Sequence, residues 1–258
     1  MSQVTQSIAG RPSRFVNACG YDPQLAQRLG LLRARPADPV GSMLPAMDAA
    51  GIAKAMVVLE NLSEEFRELH NRTGRLYALA HYNSADPVRG MDALRSLCER
   101  GRGVILGVAT AFPCYGQDPR LKAFGPLYAY CLERHLPVVL RLTGGPDVAP
   151  TRPIACGVLA SLYTGLQIIC LAEPQEELAA LLRAFPNLCL AVDMPPVATG
   201  DALERIVYSS GSRQVMFASG TYALQSANES NAAVQRLSFQ HRNNVAWRTA
   251  GRVYGLPL

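Results

Sequence analysis

The sequence predicts an α/β fold: a distorted, TIM-like (β/α)8 barrel forming a single domain over residues 1–258, with a flexible arm at 1–13. Three observations carry this expectation. Eight short apolar runs recur along the chain, segments of helical period separate them, and the length of 258 residues is that of a one-domain α/β barrel. A doubly wound open sheet is the alternative. It ranks below the barrel because no Gly-rich phosphate fingerprint follows the first apolar run.

The strand candidates, in order, are RFVNACG (14–20), AKAMVVLEN (53–61), RLYALAHYN (75–83), GVILGVATAF (103–112), PVVLRLTG (137–144), LQIICLAE (166–173), NLCLAVDM (187–194) and QVMFASG (214–220). They are nearly continuously apolar rather than alternating. Strands buried on both faces read this way, which means a parallel sheet covered by helices.

The segments between them carry helix signals. GSMLPAMDAAG (41–51) ends at Gly51, suited to the residue after a helix. DPVRGMDALRSLCERG (86–101) opens with Asp86 as N-cap and Pro87 at the first position, and stops at Gly101. DPRLKAFGPLYAYCLERH (118–135) is expected to start the same way, at Asp118 and Pro119. PQEELAALLRAF (174–185) has acids in its first turn and an apolar stripe through Leu178, Leu181 and Leu182. The most apolar stretch, 154–172, is interrupted by Gly157, Ser161, Tyr163, Thr164, Gly165 and Gln167, and reads as helix, turn and buried strand rather than a membrane span.

Composition excludes disorder: 49% of residues are hydrophobic and 17% charged, with a mean hydropathy of +0.06. The net charge of +5 comes almost wholly from arginine, since Lys54 and Lys122 are the only lysines. The excess is mild and spread out, so no nucleic-acid partner is expected. Its one local bias is Arg236, Arg242, Arg248 and Arg252 against Glu229. A solvated helix face is the preferred reading there, over a site for an anionic partner. The seven cysteines, Cys19, Cys98, Cys114, Cys131, Cys156, Cys170 and Cys189, form no CxxC pair. With no apolar core in the N-terminal segment to act as a signal peptide, they read as reduced thiols of a cytoplasmic protein with no membrane partner.

Several segments resemble the amidohydrolase-related family of the amidohydrolase superfamily: MLPAMDAAGIAKAMVV (43–58), PLYAYCLERHLPVVLRLTGG (126–145), EELAALLRAFPNLCLAV (176–192), VMFASGTY (215–222) and NNVAWRTAGRVYGL (243–256). The likeness runs from about Gly41 to Leu256 and rests on the order and spacing of the segments. The resemblance implies a distorted (β/α)8 barrel and hydrolase, lactonase or decarboxylase chemistry. It also implies a metal held by His-x-His on strand one, His on strands five and six, and Asp on strand eight. This sequence departs at each place: it has Asn17-Ala18-Cys19, Arg141, Glu173 and, on strand eight, Gly220.

The histidine count agrees, since the chain has only His70, His81, His135 and His241, of which His81 alone falls at a strand end. A catalytic zinc site commonly takes three protein ligands. Cys19, Glu173, Asp193 and His81 are substitutes in principle, but Arg141 sets a fixed cation where the metal belongs. The expectation is therefore no metal and no other cofactor.

In a barrel of this kind, active sites lie at the C-terminal ends of the strands. Arg141 and Glu173, on neighbouring strands, are expected to form an internal ion pair; the sharper reading has Arg141 binding a substrate carboxylate through two parallel bonds. His81 is a candidate general acid or base, with a structural hydrogen bond as the plainer reading. Asp193 and Glu173 are candidate proton-transfer groups, with a turn cap as the plainer reading of Asp193. Cys19 is a nucleophile candidate or an inert buried thiol. Asn17, Thr143 and Tyr222 complete a candidate substrate-binding rim, with Tyr222 and Phe112 also readable as apolar lids.

Two functions follow. One is a metal-independent enzyme acting on a small carboxylate-bearing molecule, by ester, lactone or amide hydrolysis or by decarboxylation. The other is a non-catalytic pseudoenzyme barrel serving as a binding or scaffolding subunit. Pairing through outer helices into a homodimer is the assembly expected of either.

Overall fold

The computed structural model of the chain describes residues 15–21, 25, 43–112, 117–142, 150–193, 200–218 and 232–256. Its eight strands are β1 (Phe15–Tyr21), β2 (Ile52–Leu59), β3 (Leu76–Tyr82), β4 (Ile105–Thr110), β5 (Val138–Arg141), β6 (Ile168–Ala172), β7 (Leu188–Asp193) and β8 (Val215–Ala218). They pair in sequence order, each parallel to the next. β8 returns to lie beside β1, giving the expected barrel. The expected arm at 1–13 lies outside the described residues.

Helices separate the strands: α1 (Met43–Ala49), α2 (Glu64–Thr73), α3 (Pro87–Arg100), α4 (Gly125–Glu133), α5 (Ile154–Leu162), α6 (Glu176–Ala184) and α7 (Gly200–Ser210). Local chemistry sets their ends. The Asp86 carboxylate accepts the Arg89 N–H, and Pro87 fills the first turn of α3. Ser63 caps α2 by accepting the Phe66 N–H, Glu64 and Glu65 occupy its first turn, and Gly74 ends it at φ +60°. Gly51 sits at φ +67° after α1, where a side chain would be strained.

The helix after β4 starts later than expected, at Gly125 rather than Asp118. Asp118 instead accepts the backbone N–H of Arg120 and pairs with its guanidinium, closing a turn. The Pro119 carbonyl is taken by the Tyr128 hydroxyl at 2.7 Å. A 3-10 turn (Lys122–Phe124) then leads into α4, with Pro126 in its first turn. An Asp-Pro pair serves a turn as well as a helix start.

Strand alternation divides the core in two. Ala18, Met56, Val58, Leu79, Val139, Leu171, Ala191 and Met216 belong to a cluster inside the barrel. Their neighbours in sequence, such as Val57, Ala80, Leu140, Cys170, Leu190 and Phe217, pack outward against the helices. Stepping on by two from Val58, Leu79, Val139, Leu171 and Ala191 gives Glu60, His81, Arg141, Glu173 and Asp193. One interior-facing series therefore delivers all five to the C-terminal edge of the barrel.

β1 and β8 adjoin, but no ladder pair joins them among the described residues. After α8 (Phe239–Asn243), a π-helical turn (Asn244–Arg248) and α9 (Thr249–Tyr254) cover this seam. Ala250, Tyr254 and Leu256 join the interior cluster, and the Tyr254 hydroxyl donates to the Ala18 carbonyl at 2.8 Å. His241 Nδ1 and Asn244 Nδ2 both lie 2.8 Å from Ser212 Oγ, fastening the helices just before β8.

The basic C-terminal residues are used within the chain. Arg236 pairs with Asp201, Arg242 donates to Gln235, Arg248 lies over the Trp247 ring and Arg252 donates to the Arg213 carbonyl. Among the described residues, no helix is long and apolar enough to cross a membrane.

Candidate active site

Arg141 is the last residue of β5 and only 5% exposed. Its Nη1 lies 3.6 Å from Oδ2 of Asp193, the last residue of β7. β6 runs between them, with Arg141 level with Leu171 and Leu171 level with Ala191. Asp193 thus stands one interior-facing step above, and the arginine side chain spans the intervening strand.

This corrects the ion pair expected from the sequence. Glu173 lies beyond the end of β6, is exposed, and makes no ion pair among the described residues. β7 extends through Asp193 and presents that carboxylate at the depth of the guanidinium, whereas β6 ends before Glu173. Asp193 therefore neutralises a buried arginine, an interaction beyond the turn cap considered for it.

Cys19 is fully buried near the same two charges. Burial pushes its thiol far above the ordinary range, Arg141 pulls it down in part, and Asp193 pushes it up. The protonated thiol is the form this environment holds. Asn17, also buried, accepts the Cys19 backbone N–H with Oδ1 at 3.4 Å, a local turn that orders the middle of β1.

His81 lies at the end of β3, and its side chain is wholly buried. Its Nδ1 is 3.2 Å from Oε1 of Glu60, whose side chain is 28% exposed. Nε2 is buried and has no hydrogen-bond partner among the described residues. The sequence places Glu60 among the polar residues at the strand ends but gives no sign of its pairing with His81. It stands two residues after Val58, in the same interior-facing series as His81.

The helix that follows β3 packs closely against the end of the strand that carries His81. A Cβ on Gly90 of α3 would stand 2.4 Å from the Asn83 carbonyl oxygen and 3.2 Å from the Tyr82 ring, so α3 rests directly on the end of β3. Phe112 is no lid: it is 1% exposed, with its ring 4.5 Å from that of Phe124 in the outer core. Thr143, Tyr222 and Gly220 lie outside the described residues.

The donors among the described residues do not fit a divalent metal. Among the described residues, no three His, Cys, Asp or Glu side chains converge. As a ligand Cys19 would have to be a thiolate, which its burial disfavours. The Arg141 guanidinium, already beside Asp193, repels a second cation.

The fold is similar to that of an uncharacterised TIM-barrel protein of Bordetella bronchiseptica, with a TM-score of 0.71 and 17% identity over 94% of this chain and 99% of that one. It is also similar to a dihydroxybenzoic acid decarboxylase of a Polaromonas species, solved with manganese and the inhibitor 2-nitroresorcinol. There the TM-score is 0.69 at 13% identity, covering 95% of this chain and 97% of that one. A third structure, a putative amidohydrolase of Staphylococcus aureus, aligns with a TM-score of 0.65 at 10% identity over 95% and 99% of the two chains. No protein-family model and no curated protein matches the chain.

Proposed function

We propose that the protein is an amidohydrolase-like enzyme that acts on a small carboxylate-bearing molecule at the C-terminal mouth of its barrel, without a bound metal. The observation that carries this reading is the buried guanidinium of Arg141 at a strand end, balanced by Asp193 at 3.6 Å. A carboxylate or developing oxyanion entering the mouth meets a fixed cation in a poorly solvated setting, where it acts strongly. The resemblance to the amidohydrolase-related family and the acid substrate named for the Polaromonas neighbour both support a carboxylate.

Physics favours hydrolysis over decarboxylation at Arg141 itself. Loss of CO2 removes negative charge from the scissile carboxylate, so a guanidinium gripping that group stabilises the ground state more than the transition state. Ester, lactone or amide hydrolysis instead builds charge on the carbonyl oxygen, and Arg141 stabilises that. If the substrate is decarboxylated, Arg141 holds a second, spectator carboxylate.

For hydrolysis, His81 Nε2 takes a proton from water while the water oxygen bonds to the carbonyl carbon. The tetrahedral oxyanion is held by Arg141. On collapse, the bond to the leaving group breaks and that group takes the proton back from His81. Glu173, exposed at the rim, and Asp193 are the acids placed to exchange protons with the site, and Asn17, Thr143 and Tyr222 are assigned to substrate contact. Cys19 has no role as a nucleophile in this scheme, because its thiol is held protonated.

The test is turnover of a panel of lactones, esters and aromatic carboxylates, with Arg141→Ala alongside. Activity in the wild type and its loss in a folded Arg141→Ala protein support the reading; undiminished activity in that variant rejects it. A second reading, a pseudoenzyme barrel, is favoured by one observation: Asp193 already neutralises Arg141, which lets the pair stand as interior filling. Turnover of any panel member above a denatured control rejects that reading.

A further inference from the structure

We infer that Glu60 is a positioning residue for His81, fixing the imidazole in the tautomer that carries its proton on Nδ1 and so presenting Nε2 as a proton acceptor inside the barrel. This rests on the reading of the barrel mouth as an active site. It adds a residue to which no role has been given and a definite protonation geometry.

The argument begins with register. Glu60 follows β2 and His81 lies near the end of β3, the adjacent strand, with Leu59 level with Ala80. Glu60 and His81 are therefore level neighbours on the interior-facing side, which is why a carboxylate oxygen reaches Nδ1 at 3.2 Å. An ionised carboxylate only accepts hydrogen bonds, so the contact requires the proton on Nδ1. In the neutral ring, Nε2 then bears a lone pair.

Burial makes this tautomer matter. The His81 side chain has no exposure, and Nε2 has no partner among the described residues. A buried polar atom without a partner is costly, so its retention calls for an explanation. A histidine kept only for structure is expected to bond through both nitrogens. His81 is instead anchored through one nitrogen by a carboxylate, with the other held as an acceptor. The carboxylate–imidazole arrangement orients a general base in the same way elsewhere. Glu60 is partly exposed and His81 is not, so the carboxylate keeps part of its hydration while it anchors the buried ring.

The test is 15N NMR of the full-length protein labelled at histidine, read well above the ordinary imidazole titration range. His81→Gln identifies the His81 signals by their disappearance. The expected wild-type result is a protonated Nδ1 and an unprotonated Nε2. In Glu60→Gln, whose amide can turn its NH2 toward the ring, and in Glu60→Ala, the proton shifts toward Nε2. Glu60→Gln keeps the side-chain shape and serves if the alanine variant does not fold. A wild-type His81 protonated on Nε2, or a tautomer unmoved by both substitutions, overturns the inference. On a substrate found by the panel, Glu60→Gln lowers kcat by about 100-fold with KM little changed; an unchanged kcat also overturns it. Failure to find any substrate counts against the proposed function, and the tautomer measurement decides the role of Glu60 on its own.

Discussion

Arg141 and Asp193 face each other across β6 at 3.6 Å, with side chains 6% and 15% exposed. Such a pair is weak as a source of stability, because both charges are drawn out of water, but costly to break from one side. It holds positive and negative charge together at the mouth of the barrel, where an incoming carboxylate competes with Asp193 for the guanidinium.

Removing one partner deprives the other of a counter-charge that it meets inside the barrel. Asp193→Leu is expected to destabilise the protein by about 3–5 kcal/mol in urea unfolding. The double variant Arg141→Met, Asp193→Leu is expected to recover most of that loss. A double variant no more stable than the single one contradicts the pairing.

The buried thiols make the protein sensitive to alkali. Burial raises Cys19, Cys131, Cys170 and Cys189, the last to about 12. A thiol raised in the folded state stays neutral where its unfolded counterpart, near 8.5, ionises. The stability it contributes is whole below that value and falls as pH rises beyond it, by up to about 1.4 kcal/mol per pH unit for each thiol. Urea midpoints are expected to drop steeply between about pH 8 and about pH 10. A flat profile across that window, measured with reductant present, is the contrary result.

Gly90→Ala forces α3 away from the end of β3, because its Cβ meets a backbone oxygen rather than a movable side chain. A loss of about 1–3 kcal/mol is expected, read as a lower thermal midpoint. Because the displacement falls two residues beyond His81, any activity found is expected to drop with it.

Tyr254→Phe removes the hydroxyl that meets the Ala18 carbonyl at the β1–β8 seam, leaving that buried oxygen without its partner. The expected cost is about 1–3 kcal/mol. Faster amide exchange in β1 than in β3 of the variant is the accompanying signature; uniform exchange across the barrel contradicts the role assigned to the seam.

Purified protein is expected to carry no stoichiometric zinc or manganese and to lose no activity to chelators. Elemental analysis showing one tightly held divalent ion per chain overturns the metal-independent scheme.

Much of this was legible before folding. Strands covered on both faces must be apolar throughout, so eight runs marked eight strands. Asp86, Pro87 and Gly51 marked helix ends through backbone chemistry that acts within a few residues. The same local logic misplaced the start of α4, because Asp118 and Pro119 satisfy a turn equally well. Period-two counting also puts Glu60, His81, Arg141, Glu173 and Asp193 on one face without any structure.

Contacts between those five residues required the tertiary structure. Sequence fixes which way a side chain points, but not how far each strand runs before it ends. β6 stops short of Glu173 while β7 carries on through Asp193, so the guanidinium on β5 finds its counter-charge two strands away. The level pairing of β2 with β3 likewise brings Glu60 to His81. Facing direction is a local property of the backbone; depth and partner are set by how the strands stagger when the barrel closes.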